Sequence, residues 1–332
     1  MKTAILTLDP ASPNVEYLAS AGRLLREGGL VAFPTETVYG LGANALDASA
    51  VERIFAAKGR PATNPIIVHL AEVFEARELV VDWTESAARL AEHFWPGPLT
   101  LVLRKSDLVP DMVTAGGSTV ALRVPAHPVA RALLRNACVP IAAPSANRSM
   151  ELSPTRAEHV LRGLDGRIDM LLDGGPTAGG IESTVLDLTA NPPRLLRPGL
   201  LGVAELESVV GPLAVGQAFQ PDRPLPSPGM MPRHYAPHTP LECVATDSVE
   251  RVASLSREGR RVGWVTFADS SDAPPGVLLR VLPDDPAGYA AQMYAALHEL
   301  DAAGLDRIVV TLPPDTDDWL AVRDRLRRAA SE

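Results

Sequence analysis

Eight prolines fall within the thirty residues from Gly211 to Pro240. Proline fixes φ and removes a backbone donor, so a stretch this dense neither continues a helix nor sits inside a sheet. It divides the chain, and each flank carries its own alternation of apolar strand and amphipathic helix. The length of 332 residues also exceeds one core of ordinary size. The expected fold class is therefore α/β: a twisted-sheet domain with helices over 1–210, a Pro-rich linker over 211–240, and a smaller Rossmann-like α/β domain over 241–332.

Upstream of the linker, helices are expected over 15–27, 49–58, 84–95, 127–136 and 153–164. The second rests on a capping box, Ser49-x-x-Glu52, and ends at Gly59 and Pro61. The last rests on Ser153 as N-cap with Pro154 at the first helical position. Strands are expected over 30–33, 65–70, 99–104, 119–124, 140–143, 168–172, 184–188 and 194–196. Gly40 and Gly42 read as turn residues supplying positive φ. Downstream, strands at 241–245, 262–267, 277–282 and 308–312 alternate with helices starting at 247, 287 and 319.

Composition narrows the class. Apolar residues make up 46% and charged residues 21%, as in an ordinary globular protein. Residues 1–207 carry 19 Lys/Arg against 23 Asp/Glu, and residues 208–332 carry 12 against 17. Neither part is a basic footprint, so tight nucleic-acid binding is not expected. Cys138 and Cys243 stand far apart without CxxC spacing, which excludes a zinc ribbon or disulfide framework and fits a cytoplasmic location. No signal-peptide pattern and no apolar run long enough for a membrane span is present.

Lys58 is one of only three lysines, with Lys2 and Lys105, in a chain that otherwise uses arginine. A compact ammonium kept in such a background points to an anion site. It follows a hydroxyl-rich turn (Thr35, Thr37, Tyr39) and precedes Arg60, Asn64 and His69. Strand ends and the turns after them converge at one sheet edge, where ligands gather. His69 on an apolar strand is by base rate a core histidine; its neighbours tip it towards a site. Arg123 in an apolar strand needs a partner or an anion. The alternative is a buried ion pair with Glu36 or Glu182. Ser145 and Asn147 follow a strand, and Ser183 and Arg197 sit at strand boundaries. The glycines between Asp173 and Gly180 fit neither a Walker loop nor a dinucleotide fingerprint, and read as backbone approaching a ligand. Arg233-His234-Tyr235 is more than a spacer requires; the linker is expected to act as a lid or binding segment, with a plain staple of Tyr235 onto a domain surface as the alternative. No Ser-His-Asp order, HExxH or paired-acid motif stands out.

The chain resembles the Sua5/YrdC/YciO family in its long, Sua5-type form. The resemblance rests on Pro34-Thr-Glu-Thr-Val-Tyr-Gly-Leu-Gly42, Lys58-x-Arg-Pro61, Trp95-Pro-Gly-Pro-Leu-Thr100, Val124-Pro-Ala-His127, Ala143-Pro-Ser-Ala-Asn147, Ser153-Pro-Thr155, Glu182-Ser-Thr184, Leu196-Arg-Pro-Gly199 and His234-Tyr-Ala-Pro237. It implies a YrdC-like catalytic domain followed by a Sua5-type C-terminal domain. The implied enzyme is a nucleotidyltransferase that joins L-threonine, bicarbonate and ATP into threonylcarbamoyl-adenylate and pyrophosphate, the first step of a tRNA modification. It further implies Mg²⁺ accompanying ATP, and a downstream tRNA threonylcarbamoyl transferase machinery as partner. Carried over, Thr35, His69, Arg123, Ser145 and Ser183 hold threonine or its carbamate. Lys58, Arg60, Thr119, Asn147, Ser153, Arg197, His234 and Tyr235 serve ATP. An RNA-binding module and a carbamoyl-adenylating enzyme are the competing readings; the acidic charge balance and the absence of appended domains weigh against them.

Overall fold

Helices start and stop where side chains or glycine satisfy the end groups of the backbone. Asn14 caps helix Val15–Arg26, accepting from the Glu16 and Tyr17 amides, and Thr84 caps Glu85–Phe94. Helix Ala48–Lys58 is capped by Asp47, whose carboxylate accepts from the Ser49 and Ala50 amides. The expected Ser49 capping box is therefore replaced: the helix starts earlier, and Asp47 takes the orphan donors of its first turn. Gly59 ends that helix in the left-handed region at φ 62°. The helix expected from Ser153 starts instead at Ala157 and runs to Leu164. The Pro154 carbonyl is occupied by the Tyr39 amide at 2.9 Å, which holds the segment extended.

The computed structural model describes residues 2–215, 227, 235–246, 248–267 and 273–330. They group into two compact units. One comprises Met1–Ser149, Pro154–Ala178 and Glu182–Met230; the other comprises Met150–Ser153, Gly179–Ile181 and Met231–Glu332. His234 lies outside the described residues.

The strands of the first unit are β1 (Ala4–Thr7), β2 (Val31–Phe33), β3 (Gly40–Asn44), β4 (Ile67–His69), β5 (Leu99–Arg104) and β6 (Thr119–Arg123). They continue with β7 (Ile141–Ala142), β8 (Met170–Asp173), β9 (Thr184–Asp187), β10 (Arg194–Arg197) and β11 (Ala214–Val215). They form one mixed sheet in the order β1-β8-β2-β3-β7-β4-β6-β5-β9-β10-β11. Helices Val15–Arg26 and Pro128–Ala137 cover β2, β7 and β8 through Leu18, Leu25, Leu133 and Leu134, packed on Val31, Phe33, Ile141 and Leu172. Burying that many large apolar side chains, each worth roughly 1.5–3 kcal/mol, fixes this half of the sheet.

Gly40 and Gly42 belong to β3 and do not adopt positive φ. A Cβ on Gly42 would lie 2.8 Å from Ile141 Cγ2 and 2.9 Å from Phe33 Cε1. The position excludes side chains because Phe33 lies over it, a packing reason rather than a turn. Gly180 likewise approaches protein: a Cβ there would meet the Ala290 carbonyl at 2.2 Å. That corrects its reading as backbone near a ligand. Part of the proline-rich stretch also joins the sheet, since Ala214–Val215 pairs in parallel with β10.

The second unit holds β12 (Leu241–Val244), β13 (Val262–Thr266), β14 (Leu278–Val281) and β15 (Arg307–Thr311). All pair in parallel, in the order β12-β15-β13-β14. Val252 and Leu255 of helix Ser248–Arg257 pack on Val262, Trp264 and Val309. In helix Leu320–Ala330, Asp324 pairs with the fully buried Arg325 at 2.7 Å and with Arg328 at 3.0 Å, while Arg323 meets Asp315 at 3.0 Å. No helix among the described residues is long and apolar enough to cross a membrane.

Candidate active site

Strand register brings distant residues together. In the parallel pair β4–β6, His69 is the partner of Arg123. In β5–β6, Leu101 opposes Leu122 and Val102 opposes Ala121, so one further pair sets Thr100 opposite Arg123. Side chains of registered partners share a face. His69, Arg123 and Thr100 therefore form a row across three strands. Two residues along β4 and β6, Ile67 and Ala121 continue the same face with Val102 and Val185. Another two bring Thr119, at the start of β6, level with Pro65. Thr119 thus lies on the face of Arg123 but about 13 Å away along the strand.

Thr100 Oγ1 is 2.7 Å from Ser183 Oγ. Arg197 donates from Nε to the Ser183 carbonyl and from Nη2 to Ser183 Oγ, both at 3.1 Å. The row thus extends from His69 to Arg197, with two hydroxyls between two guanidinium groups. Gly199 lets the chain after Arg197 fold tightly against β9, since a Cβ there would stand 2.3 Å from the Thr184 nitrogen.

Arg123 donates to Glu36 Oε1 at 2.6 Å and to the Gly97 carbonyl at 3.1 Å. The Ala126 amide donates to the other carboxylate oxygen at 3.0 Å. The ion pair considered as the alternative for Arg123 is present. Burial works to raise the Glu36 pKa, but the Arg123 charge and these hydrogen bonds overcome it and hold the carboxyl below its usual range. Glu36 is carried by the turn that Thr35 closes. Thr35 Oγ1 donates to the Val38 carbonyl at 2.6 Å and accepts from the Thr37 and Val38 amides at 3.2 Å. Its single proton is used there, so Thr37 supplies the hydrogen of their 2.8 Å contact. The hydroxyl of Thr35 thus holds the turn in shape.

His69 is buried, edge-on to Phe33 at 6.4 Å between ring centroids. Burial, and then the Arg123 charge, lower its pKa to about 3 against the opposing pull of Glu36. It is neutral at physiological pH, and its Nδ1 has no hydrogen-bond partner among the described residues. A buried polar atom left in that state marks a place where a ligand atom can bind.

Lys58 ends its helix at 2% exposure. Its ammonium donates to the Ser145 carbonyl at 2.5 Å and to the Asn147 carbonyl. The Ala146 amide donates to the Tyr39 carbonyl and the Leu41 amide to the Pro144 carbonyl, both at 2.8 Å, stapling the Pro144–Asn147 segment to β3. The Ser145 hydroxyl is half-buried and makes no hydrogen bond to a described residue. Arg60 donates to the Asn64 carbonyl at 3.1 Å and the Pro65 carbonyl at 2.7 Å. Register from β7 to β4 sets Ser145 level with Pro65, so Lys58, Arg60, Ser145, Asn147 and Thr119 gather at the entry end of β4 and β6.

Ser153 and Tyr235 belong to the second unit. Ser153 is fully buried, and its carbonyl accepts from His298 Nε2 at 3.1 Å. Tyr235, at φ 62°, is buried against Tyr294 with the Arg325 guanidinium 5.3 Å from its ring centroid. The staple reading of Tyr235 therefore has a direct physical basis. Sequence reasoning left Thr100 and Glu36 without site roles. The signal for Thr100 was a lone hydroxyl in a strand otherwise of Leu and Val up to Arg104, the same sign that marked Arg123.

Residues 23–199 match the Sua5/YciO/YrdC family profile, which carries the description telomere recombination. Residues 201–331 match the C-terminal domain of threonylcarbamoyl-AMP synthase. The chain belongs to the Sua5/YciO/YrdC family. It is 46% identical to the threonylcarbamoyl-AMP synthase of Bacillus subtilis, covering 97% of this chain and 95% of that one. Identity to the Pyrococcus abyssi threonylcarbamoyl-AMP synthase is also 46%, over 93% of each. A crystal structure of P. abyssi Sua5 complexed with L-threonine superposes with a TM-score of 0.92 at 42% identity, covering 99% of this chain and 98% of that one. In this Sua5-type chain both the sheet architecture and the second domain are those of its long relatives.

Proposed function

We propose that the polar face of the first sheet is where carbamylated threonine is joined to ATP. The chain is a threonylcarbamoyl-AMP synthase, an enzyme of the nucleotidyltransferase type acting in tRNA modification. The observation that carries the site reading is the row His69–Arg123–Thr100–Ser183–Arg197, buried polar groups in register on one face.

The chemistry fits those groups. Threonine's amine adds to bicarbonate with loss of water, or to CO₂ with loss of a proton, to give a carbamate. A carbamate oxygen is already an anionic nucleophile, so its attack on the α-phosphorus needs no strong base; the bond from that phosphorus to the bridging oxygen breaks and pyrophosphate leaves. The difficulty is to align two anions that repel each other. Arg123 would meet the carbamate or carboxylate and, although the resemblance gives it to ATP, Arg197 joins it through its grip on Ser183. His69, Ser183 and the turn held by Thr35 would orient the amino acid, while for Ser145, which stands with the Lys58 cluster, the resemblance alone carries the threonine assignment. Lys58, Arg60, Thr119 and Asn147, about 13 Å along the strands, take the nucleotide. For Ser153, His234 and Tyr235 the family resemblance alone carries the assignment to ATP. Mg²⁺, which the resemblance implies, would accompany ATP and neutralise charge on its phosphates. A cytoplasmic enzyme handing its adenylate to a tRNA-modifying transferase completes the reading.

Pyrophosphate release from ATP, measured with each of the twenty amino acids with and without bicarbonate, tests it. Release should require both threonine and bicarbonate, with serine a weaker substitute because it keeps the hydroxyl. Release indifferent to either would overturn the assignment.

A further inference from the structure

Thr100 is the second residue of β5 and has no exposed surface. A hydroxyl in the middle of a sheet requires a partner. Its partner is Ser183 Oγ at 2.7 Å, and Ser183 Oγ also accepts from Arg197 at 3.1 Å. Two hydroxyls share one bond, so one proton is left over. Were Ser183 the donor, the spare proton would sit on Thr100, inside the sheet, with no acceptor among the described residues. With Thr100 as donor, both lone pairs of Ser183 are filled, one by Arg197 and one by Thr100, and the serine proton is the spare one. Ser183 is buried too, at 1% exposure, so a proton is unmet in either arrangement; only on Ser183, which the site reading sets against the substrates, can an incoming acceptor meet it.

We propose that Thr100 is a positioning residue that fixes Ser183 as a hydrogen-bond donor to an anionic oxygen of the substrates. This rests on the reading of the polar face as the site. Thr100 stands opposite Arg123 while Ser183 is gripped by Arg197, so the donor is held between two guanidinium groups. The anionic oxygen has two sources, the carboxylate or carbamate of the amino acid and the phosphates of the nucleotide.

Thr100→Val removes the hydroxyl and keeps the branched shape; Thr100→Ser keeps the hydroxyl and loses the methyl. Both, with Ser183→Ala, are assayed for threonine- and bicarbonate-dependent pyrophosphate release. Thr100→Val should raise one KM about tenfold, with kcat within about twofold, and Thr100→Ser should restore it. A rise confined to threonine assigns the oxygen to the amino acid, and one confined to ATP assigns it to a phosphate. Unchanged KM values in Thr100→Val, or equal impairment in both threonine variants, overturns the positioning role. Wild-type kinetics in Ser183→Ala instead sinks the site reading on which it rests. Impaired Ser183→Ala beside normal Thr100→Val rejects Thr100 alone.

Discussion

The two units treat their buried cations differently. In the second, Arg323, Arg325 and Arg328 each meet a carboxylate, Asp315 or Asp324. In the first, Arg197 is held by the carbonyl and hydroxyl of Ser183. No carboxylate among the described residues pairs with Arg197. A cation on a carboxylate is neutralised as a pair, whereas one held by neutral dipoles keeps its field for an incoming anion. Burial of charge is common to both units; the partner's charge separates a structural arginine from a functional one. Arg123 stands between the two cases, since Glu36 neutralises it within the row itself.

The sharpest test removes the ammonium. Lys58→Ala should lower threonine-dependent pyrophosphate release at least about 100-fold, the scale for losing one preorganised electrostatic group. Circular dichroism should show an intact fold; near-normal turnover in a folded variant would remove Lys58 from the site of the first unit. Next, Arg123→Met leaves Glu36 buried without its cation and should cost about 3 kcal/mol in urea unfolding, recovered in large part by adding Glu36→Gln. Equal losses in the single and double variants would locate the cost elsewhere. In the second unit, Asp324→Asn strips the carboxylate from Arg325 and Arg328 and should cost about 2 kcal/mol while leaving both KM values unchanged. A shifted KM there would break the division between the units.

The smallest effect is read from acid stability. His69 binds a proton at about 3 when folded and near 6.5 when unfolded. The unfolded state therefore takes up the proton first, and stability falls as pH drops below about 6.5, by up to about 1.4 kcal/mol per pH unit. Glu36 contributes stability above its unfolded value of 4.5 that is lost as pH falls through its lower folded value, so it stays out of the window between 6.5 and 4.5, where burial of His127, which also lowers its pKa, adds to the slope of His69. His69→Gln should reduce the slope in that window by its own share. An unaltered slope would mean that the ring is already protonated in the native protein.

Much of the fold was legible because caps and breakers are local. Strand Leu99–Arg104 has its expected bounds, and Gly59 ends its helix as read. β3 was not legible: Gly-Leu-Gly-Ala-Asn offers no β-branched residue, and Gly42 is required by the approach of Phe33 and Ile141, contacts made across the sheet. Ser153-Pro154 has the form of a helix start, but a tertiary bond from the Tyr39 amide holds it extended. The site divides in the same way. Arg123 drew attention as a charge in an apolar strand, and its Glu36 partner was within reach of the sequence. That Thr100, Ser183 and Arg197 form one chain of hydrogen bonds depends on the pairing of segments more than eighty residues apart, which no local pattern encodes.

The shared face of β4, β5 and β6 sets terms for how such a gene can change length. Because neighbouring residues of a strand point opposite ways, deleting one codon between Ile67 and His69 would turn the histidine away from Arg123 while leaving the hydrophobicity of the segment almost untouched. Codons added to the turns joining these strands carry no such consequence. Insertions and deletions should therefore accumulate in the connectors and stop at the strand ends, so that the spacing from Thr119 to Arg123 acts as a fixed ruler for the molecule laid along it.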